Sequence, residues 1–345
     1  MRKKTLSTLL CLCLFLCGCN QAAEQNSEPQ AKRKECFAMN TYITLTAYGK
    51  DVDDSLDSAE NFIRELESLW SVTDADSEIY QLNNSNGIPL AVSEPTAALI
   101  DFALEIAEKT NGALEPTIYP VLAAWGFTTD TYQVPAQEEI IRLLQEVDYK
   151  RVQVENQTVI LPEGMQLDMG AVAKGFASDQ IAELLRNSGV ESAIISLGGN
   201  IQVIGAKPDG FPWRIGIRNP EADGNFAVLE VSECAVVTSG GYQNYFMDET
   251  GKVYHHILDP QTGMPSESGL LSVTVVGTEG RLCDALSTAL FVMGSEGASQ
   301  YWRESGGFDM ALYIAQDEVI ITEGLEDSFS LCEGYENLSV TVLRK

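Results

Sequence analysis

Two adjacent histidines, His255 and His256, are the only imidazole groups in the chain. If a histidine acts as a base in this protein, it must be one of these two. Residues 253–258 have the composition of a β-strand, in which neighbouring side chains point to opposite faces, so only one histidine could serve a site. An imidazole titrates near neutral pH and could take a proton from a hydroxyl. A buried histidine held by a hydrogen bond is the competing interpretation.

Oxygen ligands occur at helical spacing further along the chain. Asp284, Ser287 and Thr288 lie at positions i, i+3 and i+4, which predicts that they share one face of a helix. A carboxylate and hydroxyls one turn apart can supply oxygens to Mg²⁺. A solvated helix face would show the same triplet, so the spacing alone leaves both interpretations open.

A turn followed by a helix is predicted after residue 167. The chain turns through Asp168 and Gly170, and Asp168 could cap the helix that follows. Lys174 would then lie in the first turn, where a cation opposes the helix dipole. An anion bound at the helix N-terminus would explain this placement, and a solvated lysine is the alternative.

Two glycine pairs could let the backbone approach a ligand closely. They are Gly198 with Gly199 and Gly240 with Gly241. Such pairs can form anion-binding nests of N–H groups. A hairpin turn or a β-bulge is the more common explanation for either pair by itself.

The elements that must position these residues interleave without a strict β-α-β rhythm, which favours α+β over a doubly wound parallel sheet. Predicted helices span residues 54–70, 95–109, 137–146, 171–186 and 281–293. Predicted strands span residues 41–48, 152–161, 193–197, 200–205, 213–217, 227–231, 235–237, 253–258, 271–276, 310–315 and 319–322. No linker divides the chain after Cys36, so residues 36–345 are predicted to form one domain.

Composition limits the class of protein and its partners. The 345 residues are 45% hydrophobic, enough for one large globular unit or two packed subdomains. The formal net charge of −28 repels phosphate backbones and argues against a nucleic acid partner. An anionic ligand would therefore need a local pocket of N–H groups, cations or metal. Cys36, Cys234, Cys283 and Cys332 show no C-x-x-C spacing, so neither a zinc site nor a redox pair is predicted.

The N-terminus predicts export. Arg2 to Lys4 precede the apolar residues 9–16, a run too short to span a bilayer and typical of a secretory signal. Residues 17–19 resemble a bacterial lipobox, which predicts a lipoprotein signal peptide at residues 1–18 and a lipid on Cys19. Residues 19–35 would form a flexible tether, and the protein would be anchored to the membrane on its extracytoplasmic side. An ordinary signal peptide cut near Ala23, or an uncut anchor, is the alternative.

Several short segments, taken in order, resemble the FAD:protein FMN transferase family, also called the ApbE family of flavin transferases. The resemblance covers nearly all of the chain after Cys36. The segments are residues 38–41, 76–83, 115–120, 125–127, 168–177, 197–200, 238–242, 256–263 and 284–289. Each segment is weak evidence by itself, whereas their shared order is specific.

The resemblance implies an α+β fold of two intimately packed subdomains, built from mixed or antiparallel sheet and helices, with FAD in the cleft between them. The residues that it implies for the flavin site are Met39, Ala113, Leu114, Glu115, Asp168, Lys174 and Leu258. It implies Mg²⁺ bound by Asp284, Thr288 and the backbone carbonyl of Ala171, with Ser287 as an additional candidate ligand. His256 matches the family's catalytic histidine, and Asp259 is expected to orient it.

The implied reaction is Mg²⁺-dependent transfer of FMN from FAD to a threonine or serine hydroxyl of a partner protein, with release of AMP. The implied partners are flavin-bearing subunits of membrane redox complexes of the Nqr and Rnf types, and related FMN-binding domains. Two alternatives use the same residues. One is a Mg²⁺-dependent FAD pyrophosphatase that releases FMN and AMP, and the other is a flavin-binding lipoprotein without catalysis. A purely structural surface lipoprotein would not explain the ordered segments.

Overall fold

The structure is a computed structural model that describes residues 30–129, 131–315 and 318–345. The predicted signal peptide, Cys19 and most of the predicted tether lie outside these ranges. Within them, helices and strands interleave in an α+β arrangement, which confirms the predicted fold class. No helix in the described part of the chain is long and apolar enough to cross a membrane.

Nine strands form the main sheet of the described chain, and the eight others form three small sheets. The strands are β1 (Ala31–Ala38), β2 (Thr41–Tyr48), β3 (Leu90–Ala91), β4 (Gln153–Glu155), β5 (Thr158–Ile160), β6 (Ser192–Leu197), β7 (Asn200–Ile204), β8 (Trp213–Arg218), β9 (Asn225–Val231), β10 (Ala235–Gly240), β11 (Tyr245–Met247), β12 (Val253–His255), β13 (Leu270–Gly277), β14 (Phe308–Ile314), β15 (Glu318–Thr322), β16 (Phe329–Leu331) and β17 (Ser339–Leu343). The main sheet has the order β1-β2-β6-β7-β10-β13-β14-β15-β17. Neighbouring strands within this sheet are antiparallel, except for β15 and β17, which are parallel.

The α-helices pack against the main sheet and against one another. They are α1 (Asp53–Trp70), α2 (Glu78–Asn83), α3 (Glu94–Lys109), α4 (Tyr119–Trp125), α5 (Gln137–Leu143), α6 (Ala173–Asn187) and α7 (Gly280–Ser305). Gly294, with a φ of 73°, interrupts α7 near the predicted end of that helix. Residues 144–146, predicted as the end of a helix, form a separate 3₁₀ turn.

Two of the four hydrophobic cores in the described chain lie between the main sheet and its long helices. In the first, α1 packs against β2, α6 packs against β6, and α3 packs against α1. Leu56, Ile63 and Leu66 of α1 are almost fully buried. Their spacing of three to four residues is that of an amphipathic helix, and burying each contributes about 2 kcal/mol. In the second core, α7 packs against β10, β13 and β14. The shared sheet joins the two parts intimately.

The predicted tether is too long at its C-terminal end. Residues 31–35 belong to β1, which pairs with β2 from Ala31 opposite Tyr48 to Ala38 opposite Thr41. The polar composition of this segment suggested a tether because β1 is an edge strand whose charged side chains face solvent. Lys32 Nζ lies 2.9 Å from Asp53 Oδ2 of α1, so an ion pair also holds the strand.

Two predicted strands have different limits from those expected. The single strand predicted at 152–161 is a hairpin of β4 and β5, because Asn156 and Gln157 adopt φ values of 47° and 64° and reverse the chain. The strand predicted at 253–258 ends at His255 as β12, and His256 lies just beyond it.

Candidate active site

A cavity of about 1010 Å³ opens where the turns after β1 and β6, the end of β10 and the first turns of α6 and α7 converge. The residues predicted for the flavin, metal and catalytic sites line it, with the exception of Asp259 and Ser287. Those residues are Met39, Ala113, Leu114, Glu115, Asp168, Ala171, Lys174, His256, Leu258, Asp284 and Thr288. The structure therefore brings them together, while their individual roles stay predictions.

The turn between β1 and β2 places Met39 on the cavity wall. Met39 and Asn40 adopt left-handed φ values of 51° and 55°, as in the tight two-residue turns of β-hairpins. The Met39 N–H donates to Glu67 Oε1 of α1 at 2.6 Å. This hydrogen bond ties the turn to the helix behind it.

The first glycine pair forms a hairpin turn at the edge of the cavity. Gly198 has a φ of 66°, and a Cβ there would lie 2.5 Å from the Thr41 hydroxyl. A side chain at this position would be strained and would separate the turn from the start of β2. The hairpin interpretation of Gly198 and Gly199 is therefore correct.

The segment before α6 places a cation at the cavity. Asp168 Oδ1 accepts a hydrogen bond from the Gly170 N–H at 2.8 Å, so it closes this turn, and α6 begins at Ala173. Lys174 Nζ donates to the Gly170 carbonyl at 3.0 Å and makes no ion pair with a carboxylate of the described chain. Burial raises the pKa of Asp168, while the Gly170 N–H and the charge of Lys174 act in the opposite direction.

Asp284 is a buried carboxylate with few partners. It is 4% exposed, and its Oδ2 accepts a hydrogen bond from the Gly175 N–H at 2.7 Å. Burial raises the pKa of Asp284, and Lys174, the Gly175 N–H and the nearby Asn200 amide lower it. Yet neither polar atom of the buried Asn200 side chain makes a hydrogen bond of normal geometry within the described chain. Such groups are costly to bury alone, which indicates a ligand or cation at this position.

Close contact between α6 and α7 sets the position of Asp284. A Cβ on Gly175 would lie 2.4 Å from the Gly280 carbonyl oxygen and 2.5 Å from Asp284 Cβ. Glycine is therefore required at 175 for the two helices to cross at this distance. The crossing brings the carboxylate on α7 to the N-terminal turn that carries Lys174.

Ser287 supports the cavity wall from behind. Its fully buried hydroxyl donates to the Asp284 carbonyl at 2.8 Å and lies 2.7 Å from Ser239 Oγ. Because each hydroxyl has one proton, Ser239 must donate to Ser287, and Thr288, 3.3 Å from Ser239, can donate to Ser239. Ser287 does not line the cavity, so its expected role as an additional metal ligand stays a prediction, whereas Thr288 lies on the cavity wall.

His256 is the histidine that faces the cavity. Its Nδ1 lies 3.1 Å from the Asn244 carbonyl oxygen. A carbonyl can only accept, so Nδ1 carries the proton and Nε2 has the free lone pair. Burial lowers the pKa of His256 to about 4 from its usual 6.5, which keeps the imidazole neutral. Phe127 contacts the ring edge-to-face, with centroids 6.4 Å apart.

His255 lies in a different environment, as the strand prediction required. Its Nε2 is 3.2 Å from the Ser266 carbonyl oxygen, and its ring packs edge-to-face on Phe291 of α7. Its Nδ1 is buried without a hydrogen-bond partner in the described ranges. His255 therefore fits the interpretation of a partly buried structural histidine held by a hydrogen bond.

Asp259 does not orient His256, contrary to expectation. Its Oδ1 accepts a hydrogen bond from the Gln261 N–H at 2.8 Å, and its carbonyl accepts from the Gly263 N–H at 2.8 Å. Asp259 thus stabilises its own turn, and it lines a smaller neighbouring cavity. The Asn244 carbonyl takes the orienting role, because backbone 12 residues earlier returns to the histidine.

Glu115 braces the cavity wall with both carboxylate oxygens. Oε1 accepts hydrogen bonds from the Thr117 N–H at 3.0 Å and the Thr117 hydroxyl at 2.6 Å. Oε2 accepts one from the Tyr149 N–H at 3.2 Å. Burial raises the pKa of Glu115, and these hydrogen bonds oppose the shift.

Sequence reasoning missed residues that reach the cavity from elsewhere. Arg218 lines it from β8, with its guanidinium 5.7 Å from the centre of the Tyr242 ring, and it forms no ion pair in the part of the chain described. Arg218 adds positive charge to the cavity of a chain whose net charge is −28. Only that charge imbalance could have drawn attention to it. No feature of the sequence pointed to Asn244, because its backbone carbonyl, and not its side chain, contacts His256.

Comparisons with known proteins identify the family of this chain. The sequence profile of the ApbE family matches residues 39–312. A FAD:protein FMN transferase of Treponema pallidum is 33% identical over 336 residues, which cover 91% of this chain and 91% of that protein. A protein of the same name from Escherichia coli K12 is 31% identical over 326 residues, which cover 90% and 92%. The crystal structure of the ApbE protein of Thermotoga maritima superposes with a TM-score of 0.78 at 29% identity, over 90% of this chain and 99% of that one. The chain belongs to the ApbE family.

Proposed function

We propose that this protein is a FAD:protein FMN transferase that moves the FMN part of FAD to a threonine or serine hydroxyl of a partner protein and releases AMP. One observation carries the proposal beyond family membership. The same cavity holds a neutral imidazole with a free Nε2 and, on its wall, the buried carboxylate of Asp284 beside the Thr288 hydroxyl. A proton acceptor and an oxygen-rich cation site are what hydroxyl attack on a pyrophosphate needs.

The donor set fits Mg²⁺. Asp284, Thr288 and Ala171 line the cavity, and the carboxylate, the hydroxyl and the Ala171 carbonyl would supply hard oxygen ligands. The burial of Asp284 favours a compensating positive charge. No group of three or more His, Cys, Asp or Glu side chains in the described chain is arranged to hold a metal ion. The proposed site therefore has one carboxylate, which suits an ion that keeps waters and phosphate oxygens as ligands. When bound, Mg²⁺ supplies charge neutralisation to the pyrophosphate.

Two cations of the chain itself complete the anion-binding environment. Lys174 lies at the first turn of α6, where the N–H groups of the helix terminus also favour an anion. Arg218 lies on the β8 side of the cavity without a carboxylate partner. Together they give an acidic protein a local positive pocket for the phosphates of FAD.

His256 would act as the general base. The acceptor oxygen forms a bond to the flavin-side phosphorus of FAD, the bond from that phosphorus to the bridging oxygen breaks, and AMP leaves. Nε2 takes the proton of the acceptor hydroxyl, while the Asn244 carbonyl holds the Nδ1 proton and stabilises the imidazolium that forms.

The proposal is tested by incubating the protein with FAD, Mg²⁺ and an FMN-binding acceptor domain. We expect a fluorescent flavin band on the acceptor in a denaturing gel and one AMP released for each flavin attached. AMP and FMN released equally with and without the acceptor would identify a FAD pyrophosphatase instead. FAD binding without any AMP would identify a flavin-binding protein without catalysis.

The partners that we propose are flavin-bearing subunits of membrane redox complexes of the Nqr and Rnf types and related FMN-binding domains. Their acceptor sites lie outside the cytoplasm, which agrees with an exported enzyme anchored on the extracytoplasmic side by a lipid on Cys19. We expect a labelled fatty acid to be incorporated into the wild-type protein and not into Cys19→Ser, with Cys17→Ser as the matched control that keeps the label. Labelling of Cys19→Ser at the wild-type level would contradict a lipid on Cys19.

A further inference from the structure

Asn200 is a fully buried side chain on the cavity wall whose polar atoms lack partners. It is the first residue of β7, directly after the turn formed by the first glycine pair. It lines the cavity. Neither its carbonyl oxygen nor its NH₂ group has a hydrogen-bond partner of normal geometry among the described residues. Buried amides are usually hydrogen-bonded, so this one indicates a ligand.

Gln202, two residues further along β7, is a buried amide that does have partners. Strand alternation places it on the same face as Asn200. It is 2% exposed, and its Oε1 accepts a hydrogen bond from the Ser178 hydroxyl of α6 at 3.0 Å. Its NH₂ group interacts with the Asp179 carboxyl. Gln202 does not line the cavity. Of these two amides, only the one at the cavity is left without partners.

The packing of α6 and α7 on β7 places Asn200 beside Asp284. A Cβ on Gly280 of α7 would lie 2.5 Å from Gln202 Oε1, so these two residues are in close contact. Asp284 lies one turn after Gly280, about 6 Å along the helix. Asn200 lies two residues before Gln202, about 7 Å along the strand. Both steps lead to the cavity, and the Asn200 NH₂ group is accordingly near the Asp284 carboxyl.

The neighbouring carboxylate fixes which way the Asn200 amide points. An ionised carboxylate accepts hydrogen bonds and cannot donate one, so the NH₂ group faces Asp284 and the carbonyl oxygen is left without a donor. An amide oxygen is a hard ligand of the kind that binds divalent cations in proteins. It is also neutral, so it adds no further negative charge beside the buried carboxylate.

We propose that Asn200 belongs to the divalent-cation site, with its side-chain carbonyl oxygen as a further ligand beside Asp284 and Thr288. This inference rests on the proposed function, because the cation is the Mg²⁺ of that reaction. The NH₂ group of Asn200 at the same time holds the Asp284 carboxylate. An amide needed for packing alone is expected to have partners within the protein, as Gln202 has.

The test is Mg²⁺ binding to the metal-free protein, measured by calorimetry, with Asn200→Leu as the first variant. Leucine has nearly the shape of asparagine and no polar atoms. We expect this variant to bind Mg²⁺ about tenfold or more weakly, the usual effect of losing a group that holds a metal site. Its unfolding temperature without metal should be no lower than that of wild type, because an unpartnered amide has left the interior.

The second variant, Asn200→Asp, keeps an oxygen at the position and adds a charge. Two adjacent carboxylates repel each other, so this variant should unfold at a lower temperature than wild type when metal-free. Mg²⁺ should then raise its unfolding temperature by more than it raises that of wild type. The matched control is Gln202→Leu, which removes a buried amide from the same strand face away from the cavity. We expect this control to bind Mg²⁺ as tightly as wild type.

Two results would overturn the inference. One is wild-type Mg²⁺ affinity in Asn200→Leu, and the other is an equal loss of affinity in Gln202→Leu. The proposed function is measured separately, by flavin transfer to an acceptor domain. A wild-type protein that binds Mg²⁺ through Asn200 and transfers no flavin would contradict the function and not the cation site. Flavin transfer by wild type, together with unchanged Mg²⁺ affinity in Asn200→Leu, would contradict only the role of Asn200.

Discussion

Asp284→Asn is expected to lower the Mg²⁺-dependent release of AMP from FAD by more than about 100-fold. Asparagine keeps the size of the side chain and an oxygen that can accept the Gly175 N–H, so the crossing of α6 and α7 is retained. It removes the negative charge that would bind the cation. The activity is measured as AMP release over a range of Mg²⁺ concentrations, and Mg²⁺ binding by calorimetry.

The stability of this variant provides an independent check on the same residue. Burial raises the pKa of Asp284, so without a cation the ionised carboxylate is less favourable in the folded protein than in the unfolded chain. We therefore expect metal-free Asp284→Asn to unfold at a temperature no lower than metal-free wild type. Added Mg²⁺ should stabilise the wild type and leave the variant unchanged.

Asp179→Asn is the matched control for Asp284. Asp179 also lies where α6 meets α7, and it accepts hydrogen bonds from the N–H groups of Gly280 and Arg281 at 2.7 and 3.0 Å. It does not line the cavity. We expect its variant to lose stability through a weaker helix cap while its activity still responds to Mg²⁺. An Asp284→Asn protein that binds Mg²⁺ as tightly as wild type would exclude Asp284 as a ligand.

The second large effect is expected from His256→Ala, which should slow flavin transfer by about 10²- to 10⁴-fold, the usual contribution of a general base. FAD binding should persist, because the phosphates are held by other residues. The measurements are the single-turnover rate of transfer to an acceptor and the dissociation constant of FAD. A wild-type transfer rate in His256→Ala would remove the assignment of the base.

His255→Ala separates the roles of the two neighbouring histidines. His255 packs on Phe291 and bonds to the Ser266 carbonyl outside the cavity, so its loss should lower stability by leaving a space beneath α7. Transfer by the folded variant should remain close to the wild-type rate. Equal losses of activity in both histidine variants would mean that the hairpin as a whole, and not the imidazole of His256, had been disturbed.

The low pKa of His256 also predicts a pH dependence. The folded pKa is about 4 and the ordinary value is 6.5, so between these limits the unfolded chain binds more protons than the folded protein. The contribution of the neutral His256 to the free energy of unfolding is then fully present above pH 6.5 and is lost as the pH decreases towards 4. The same shift places the acid limit of kcat/KM well below pH 6.5, and an inflection at 6.5 would contradict the buried environment of His256.

Local spacing along the chain was sufficient to predict much of the framework. The long helices α1, α3 and α6 begin within two residues of the predicted positions, because their apolar residues recur with the period of a helix. The triplet on α7 and the opposite environments of His255 and His256 follow from the same periodicities. The edge strand β1 was missed because its charged side chains face solvent and lack an apolar pattern.

The amino-acid sequence by itself determined which groups could do chemistry, namely two histidines, an oxygen triplet and a lysine at a helix start. Only the tertiary structure decided which of them meet. His256 faces the cavity, and its ring is held by the Asn244 carbonyl and not by Asp259. Thr288 lies on the cavity wall, whereas Ser287 points away from it and bonds to the Asp284 carbonyl. The physical reason is that helix and strand periodicity is a property of neighbouring residues. A hydrogen bond to a distant backbone carbonyl depends on how separate elements pack. The requirement for glycine at position 175 is likewise visible only in the structure, where a Cβ would collide with α7 at the helix crossing.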